Sequence, residues 1–102
     1  MKIEEVYPKL FALVLKDHTD LKMDGTGHPF DHTFAVAQTA TIIAEDEYTA
    51  KIGGAAGLCH NADRLLQRQV NASKANSADH VEAKMIPKAD TIALVKKWIS
   101  ES

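Results

Sequence analysis

The stretch Ile52–Arg64, IGGAAGLCHNADR, changes character halfway along. Its first half is apolar or small at every position around a helix, and a helix that is hydrophobic all round belongs in the middle of a domain. Gly53, Gly54, Ala55, Ala56 and Gly57 let neighbouring helices come close to its backbone. Each Gly in a helix interior costs about 1 kcal/mol relative to Ala, so these glycines predict tight packing, or a bend, that offsets the cost. His60, Asn61, Asp63 and Arg64 follow at once. Groups able to bind metal, protons or phosphate therefore stand at the end of the most apolar helix, the expected floor of a site.

On the N-terminal side of this stretch, a helix opens at Pro29 to Asp31 and runs to about Glu45, with Pro29 in its first turn or Asp31 as N-cap. Val36, Ala40 and Ile43 form its predicted inward stripe. At 100° per residue His32 falls in line with Val36 and Ile43, so its ring is expected to face the core, as a hydrogen-bonded core histidine or as a ligand. Earlier still, Ile3, Val6, Leu10, Leu13 and Val14 recur at helical spacing as far as about Lys16. Pro8 either starts that helix near Tyr7 or kinks it. Asp17–His28 is polar and contains Gly25 and Gly27, which reads as a loop with His18 exposed.

On the C-terminal side, Leu65 and Leu66 continue the apolar packing and Gln67, Arg68 and Gln69 are solvated. The polar run Asn71–Ser77 reads as a loop. Asp79 and Glu82 have capping-box spacing and start a short helix ending before Pro87, with His80 exposed in its first turn. The last helix takes Asp90 as N-cap and buries Ile92, Val95, Trp98 and Ile99, leaving Lys96 and Lys97 in water near its C-terminal end. No strand pattern, repeat or linker interrupts the chain. The expectation is one compact all-α domain over 1–102 with about five helices, the second and central ones side by side.

A chain of 102 residues suffices for one core. Its 45% hydrophobic and 25% charged content is that of an ordinary globular protein. A formal net charge of -2 offers no basic excess for nucleic acid, but leaves room for a small phosphorylated molecule. Cys59 can form no internal disulfide and lies in the apolar run, as a small buried hydrophobe. No stretch approaches the ~20 apolar residues that span a bilayer. Glu4 and Glu5 stand where a secretion signal needs basic residues, so a cytoplasmic protein is expected.

His32 on one helix and His60, Asn61 and Asp63 at the end of its neighbour would bring imidazoles together with an oxygen donor. That chemistry suits Zn, Mn or Fe better than Ca. His60 and Asp63 are three apart and can share a helix face. GHPFDHTFAVAQTATIIAEDEYTAKIGGAAGLCHNADRLL, from Gly27 to about Leu66, resembles the core of the HD superfamily of metal-dependent phosphohydrolases. His32 in GHPFDHT matches the family's first histidine, and His60 in AGLCHN the histidine of its His-Asp pair. The resemblance implies an all-α fold and one or two divalent ions (Mn, Mg, Fe, Ni, Co or Zn) that activate water against a nucleotide or other small phosphate ester.

The sequence departs from the family pattern at three places. Asn61 replaces the pair's aspartate, Ala35 stands where an arginine is often found, and the distal aspartate has no clear counterpart. A neutral Asn cannot replace the charge of an anionic bridge, which counts against two-metal clamping. Two functions follow. In the first, His32, His60, Asn61 and Asp63 hold the ion, Asp63 also acts as proton acceptor, and His28 and Arg64 bind phosphate oxygens. In the second, the domain is catalytically degenerate and serves as a ligand-binding or protein-interaction module. A structural zinc site of His28, His32 and His60, and a homo-oligomer whose partner subunit completes the ligand set, remain further readings.

Overall fold

The computed structural model describes residues 1–73 and 80–102. In chain order it contains α1 (Ile3–Val6), α2 (Pro8–Asp20), α3 (Phe30–Ile43), α4 (Glu47–Cys59), α5 (Ala62–Ser73), a 3-10 turn (Ala83–Met85) and α6 (Lys88–Glu101). Among the described residues no strand occurs and no helix is long and apolar enough to cross a membrane.

Pro8 separates α1 from α2: Tyr7 leaves helical geometry at φ -126°, and Pro8 occupies the first position of α2. Proline is favoured there because its missing N–H would go unbonded anyway. α2 continues to Asp20, four residues beyond the predicted end, because Leu10, Val14 and His18 form one buried line. A turn follows, with Gly25 and Gly27 both at φ 85°, a conformation that only glycine adopts freely.

α3 and α4 pack side by side along most of their length, as anticipated, and run antiparallel. A Cβ on Gly57 would stand 2.6 Å from Ala37 Cα, and one on Gly54 would overlap the Ile3 side chain. These two glycines offset their helix cost by letting the backbones of α3 and α4, and the α1 side chain, come into direct contact. Asp46 caps α4, its Oδ1 accepting from Thr49 N at 2.6 Å. The core gathers Ile3, Leu10, Val14, Met23, Ala37, Leu58, Leu65 and Trp98. Phe11 lies edge-on to Phe30 and Phe34, with centroids 5.1 and 5.7 Å apart. Trp98 is buried, and its Nε1 donates to Asp17 Oδ2 at 2.7 Å, which ties α6 to α2.

Several expectations are corrected. α4 is not buried all round, since Tyr48, Ile52 and Ala56 are exposed. The inward residues of α3 are Thr33, Ala37 and Thr41; Ile43 is 75% exposed and Val36 and Ala40 are only half-buried. The reason is shared: small residues bring α3 and α4 together on a seam rotated away from the bulkier stripe. α6 begins at Lys88 after Pro87, not at an Asp90 cap. It buries Trp98 and half-buries Leu94 and Val95, while Ile92 and Ile99 are exposed. Asn71–Ser73 are helical and the rest of the expected loop, with Asp79, lies outside the described residues. The short helix before Pro87 is the 3-10 turn.

Candidate functional site

The helix that ends at Cys59 restarts at Ala62, so His60 and Asn61 form the corner between α4 and α5. His60 caps α4, and its Nδ1 lies 2.6 Å from Gly57 O. A carbonyl accepts only, so Nδ1 carries a proton, which leaves Nε2 as the ring's one available donor atom for a ligand. Against expectation His32 is exposed and does not face the core. Its ring nevertheless meets that of His60, with centroids 5.7 Å apart at 71°. One ion bound at ~2.1 Å to a nitrogen of each ring spans such a separation.

Asn61 turns the other way. It is 2% exposed, and its amide nitrogen lies 3.1 Å from His28 O and 3.2 Å from His18 Nε2. His18, expected at the surface, is buried at 2% exposure, with Nδ1 2.8 Å from Val14 O, Thr33 Oγ1 3.2 Å from Nε2 and Phe30 edge-on at 5.4 Å. The Val14 carbonyl fixes the proton on Nδ1. Nε2 must then accept, from the Asn61 amide or the Thr33 hydroxyl. Burial lowers the His18 pKa and keeps the ring neutral, opposed by its bond to Val14. Asn61 is thus the donor that a neutral buried imidazole and a backbone carbonyl both require. An aspartate here would offer neither proton.

Asp63 opens α5, where negative charge is favourable, and its Oδ1 accepts from Arg64 N at 2.8 Å. His60 and Asp63 fall on either side of the helix break, yet both line a hollow of about 440 Å³ that Lys84, Lys88 and Thr91 also border. His28 lies on the other side of the corner. Desolvation, and then the Arg64 and His32 charges, hold its pKa below the usual imidazole value. His28 and Arg64 line a larger cleft of about 600 Å³ between the Met23–His28 turn and α5, together with Thr26, Arg68, Asn71 and His80. Arg68 is anchored by Nε to Leu21 O at 3.1 Å. Cys59 is half-buried, and burial pushes its thiol up to about 11, so it is not a nucleophile at neutral pH.

The donors fall short of the metal set that the resemblance implies. Zinc-type sites take three or four protein ligands. Among the described residues no three His, Cys, Asp or Glu side chains gather around one point. His32 and His60 supply two imidazoles, while the Asn61 amide points into the core and Asp63 bonds the backbone of its neighbour. His28, His32 and His60 do not gather into a three-histidine site.

Sequence reasoning missed His18, Thr33 and Arg68, and placed His80 at the surface, where it is exposed. The first was legible: His18 continues the Leu10, Val14 spacing by one more turn. Arg68 lies one turn beyond Arg64, so the pair shares a face once α5 is a continuous helix. No family model, curated protein or solved structure matches this chain.

Proposed function

We propose that this chain is an HD-like helical domain that binds a small phosphorylated molecule in the cleft between the Met23–His28 turn and α5, without a resident metal ion and without hydrolysing its ligand. The observation that carries this reading is the grouping of Arg64, Arg68, His28 and His80 around one cleft. A guanidinium presents a planar fork of donors suited to phosphate oxygens. Arg68 is held in place through Nε, which leaves its terminal nitrogens for a ligand. A volume of about 600 Å³ suits a nucleotide-sized molecule. The chain's net charge of -2 makes this cationic lining a local feature and not a general attraction for polyanions.

Calorimetric titration with inorganic phosphate, pyrophosphate and a nucleotide panel tests the reading. Binding is expected, and each charge-assisted bond is worth about 1.5–3 kcal/mol, so Arg64→Ala should weaken it roughly 10- to 100-fold. No binding to any of the panel overturns the proposal. The metal-dependent phosphohydrolase is the second reading, favoured by the approach of the His32 and His60 rings and by the free Nε2 of His60. Nucleotide turnover supported by Mn, Ni or Co, and abolished by His60→Ala, would decide for it.

A further inference from the structure

One wall of the cleft that holds Arg64 and Arg68 is the turn from Met23 to His28, and this turn is tied down at both ends. At its start Met23 N donates to His18 O at 3.0 Å, and Arg68 Nε, reaching across from α5, donates to Leu21 O at 3.1 Å. At its end the Asn61 amide nitrogen donates to His28 O at 3.1 Å. Between these ties the backbone takes three left-handed steps, at Lys22 (φ 54°) and at Gly25 and Gly27 (both φ 85°). The bonds inside the turn are local. Thr26 N and Oγ1 donate to Met23 O, and Thr26 Oγ1 accepts from His28 N at 3.3 Å. Glycine has no steric preference between left- and right-handed backbone, so the shape of such a turn is set largely by its anchors.

Asn61 anchors the turn from behind, since its side chain is buried while His28 stands at the cleft. The core fixes which way its carboxamide points. The amide carries two N–H donors; one acceptor beside it is the His28 carbonyl, and the other is His18 Nε2 at 3.2 Å. Val14 O holds the His18 proton on Nδ1, Thr33 Oγ1 lies against Nε2, and Phe30 stands edge-on to the ring. Reversing the carboxamide would set its oxygen against two acceptors and leave buried groups unpaired. Pro29 follows His28 at φ -71° and ψ 165° and leads directly into α3. A fixed His28 carbonyl next to a fixed proline ring holds the peptide plane at the base of the His28 side chain.

We infer that Asn61 is a positioning residue for this cleft: through its bond to the His28 carbonyl it sets where the His28 imidazole stands opposite Arg64 and Arg68. The inference rests on the phosphate-binding reading above and adds to it a residue that touches no ligand. The buried chain Val14, His18, Asn61, His28 thus links α2 to the rim of the cleft, and ligand affinity depends on a side chain in the core.

Two measurements with pyrophosphate test this. In the first, nitrogen-15 NMR of the wild-type chain, the Asn61 side-chain amide signal should shift with the same midpoint as the His28 imidazole. This needs no variant, so it decides whether or not a substitution at position 61 folds. The second is a double-mutant cycle by calorimetry. Asn61→Ala should weaken binding roughly 2- to 30-fold. In a His28→Ala background, where Arg64 and Arg68 keep binding measurable, the same change should have little further effect, because the group through which it acts is gone. An Asn61 amide signal that stays still while His28 moves overturns the inference. So does Asn61→Ala binding as the wild type does, or a loss that carries over in full to His28→Ala. These outcomes leave the phosphate-binding reading standing, whereas a wild type that binds no pyrophosphate overturns both.

Discussion

The two sides of the α3–α4 pair are built from the same kinds of residue and have opposite fates. On the inner side Gly54 and Gly57 leave no room for a Cβ, and Ala37, Thr41 and Ile3 fill the space beside them. On the outer side a Cβ on Gly53 would press on Ala40 Cβ at 3.3 Å without overlapping any backbone atom, and Ala56 and Ile43 are exposed. What separates them is the partner. α1 and α2 cover the inner side and fix it sterically, whereas on the outer side Ile43 and Ala56 stay exposed among the described residues. Small apolar residues tell where helices can approach, but not which helix does so.

Substitutions that exploit this contrast should rank from the inner side outward. Gly57→Leu forces a side chain into the Ala37 backbone, which α3 can yield only by shifting. The expected cost is about 3 kcal/mol or more, read as a lowered midpoint in urea. Asn61→Ala removes the donor shared by His18 Nε2 and His28 O, and should cost about 1–3 kcal/mol. Asn61→Asp should cost a similar amount near neutral pH, because the carboxylate faces an acceptor on both sides. Gly53→Ala lies at the margin: about 1 kcal/mol of helix propensity is set against a neighbour that must give slightly. A change of less than a kcal/mol is expected there. A large loss at Gly53 together with a small one at Gly57 would invert the assignment of inner and outer sides.

The inner side also predicts a pH dependence. Burial holds the folded His18 pKa below its unfolded value, so below about pH 6.5 the unfolded chain binds more protons than the native one. The contribution is fully present above that value and is lost as the pH falls through the folded pKa. His28 shifts in the same direction, mainly through desolvation. Denaturation midpoints between about pH 7.5 and 5 should therefore fall on acidification, and His18→Gln should flatten that slope more than His28→Gln. Equal slopes in the wild type and His18→Gln would mean that the buried imidazole is not neutral in the native state.

Most of the helices were readable, because they depend on local signals: Pro8 and Pro29 at helix starts, glycines in the turn, and apolar spacing along α2; the break at His60–Asn61 that makes α5 a separate helix was not. The approach of His32 to His60 was also readable, since it follows from pairing α3 with α4. Which way each side chain faces was less accessible. Projection from one helix treats Val36, Ala40 and Ile43 as the natural core face, but the seam is chosen by two helices jointly and lies where Gly54 and Gly57 allow backbone contact. The role of Asn61 was hidden for a related reason. Its meaning depends on His18, 43 residues earlier, which the polar composition around Asp17 made look like a surface residue.

The central claim is that position 61 serves a neutral core histidine while the phosphate-binding groups lie beside it, around His28 and Arg64. Nitrogen-15 NMR of the imidazoles at neutral pH, during titration with pyrophosphate, tests it most directly. The account predicts that His18 is a neutral Nδ1–H tautomer throughout, while the His28 and His80 signals move as ligand is added. A protonated or Nε2–H His18, or a titration that leaves His28 and His80 unmoved, would contradict it.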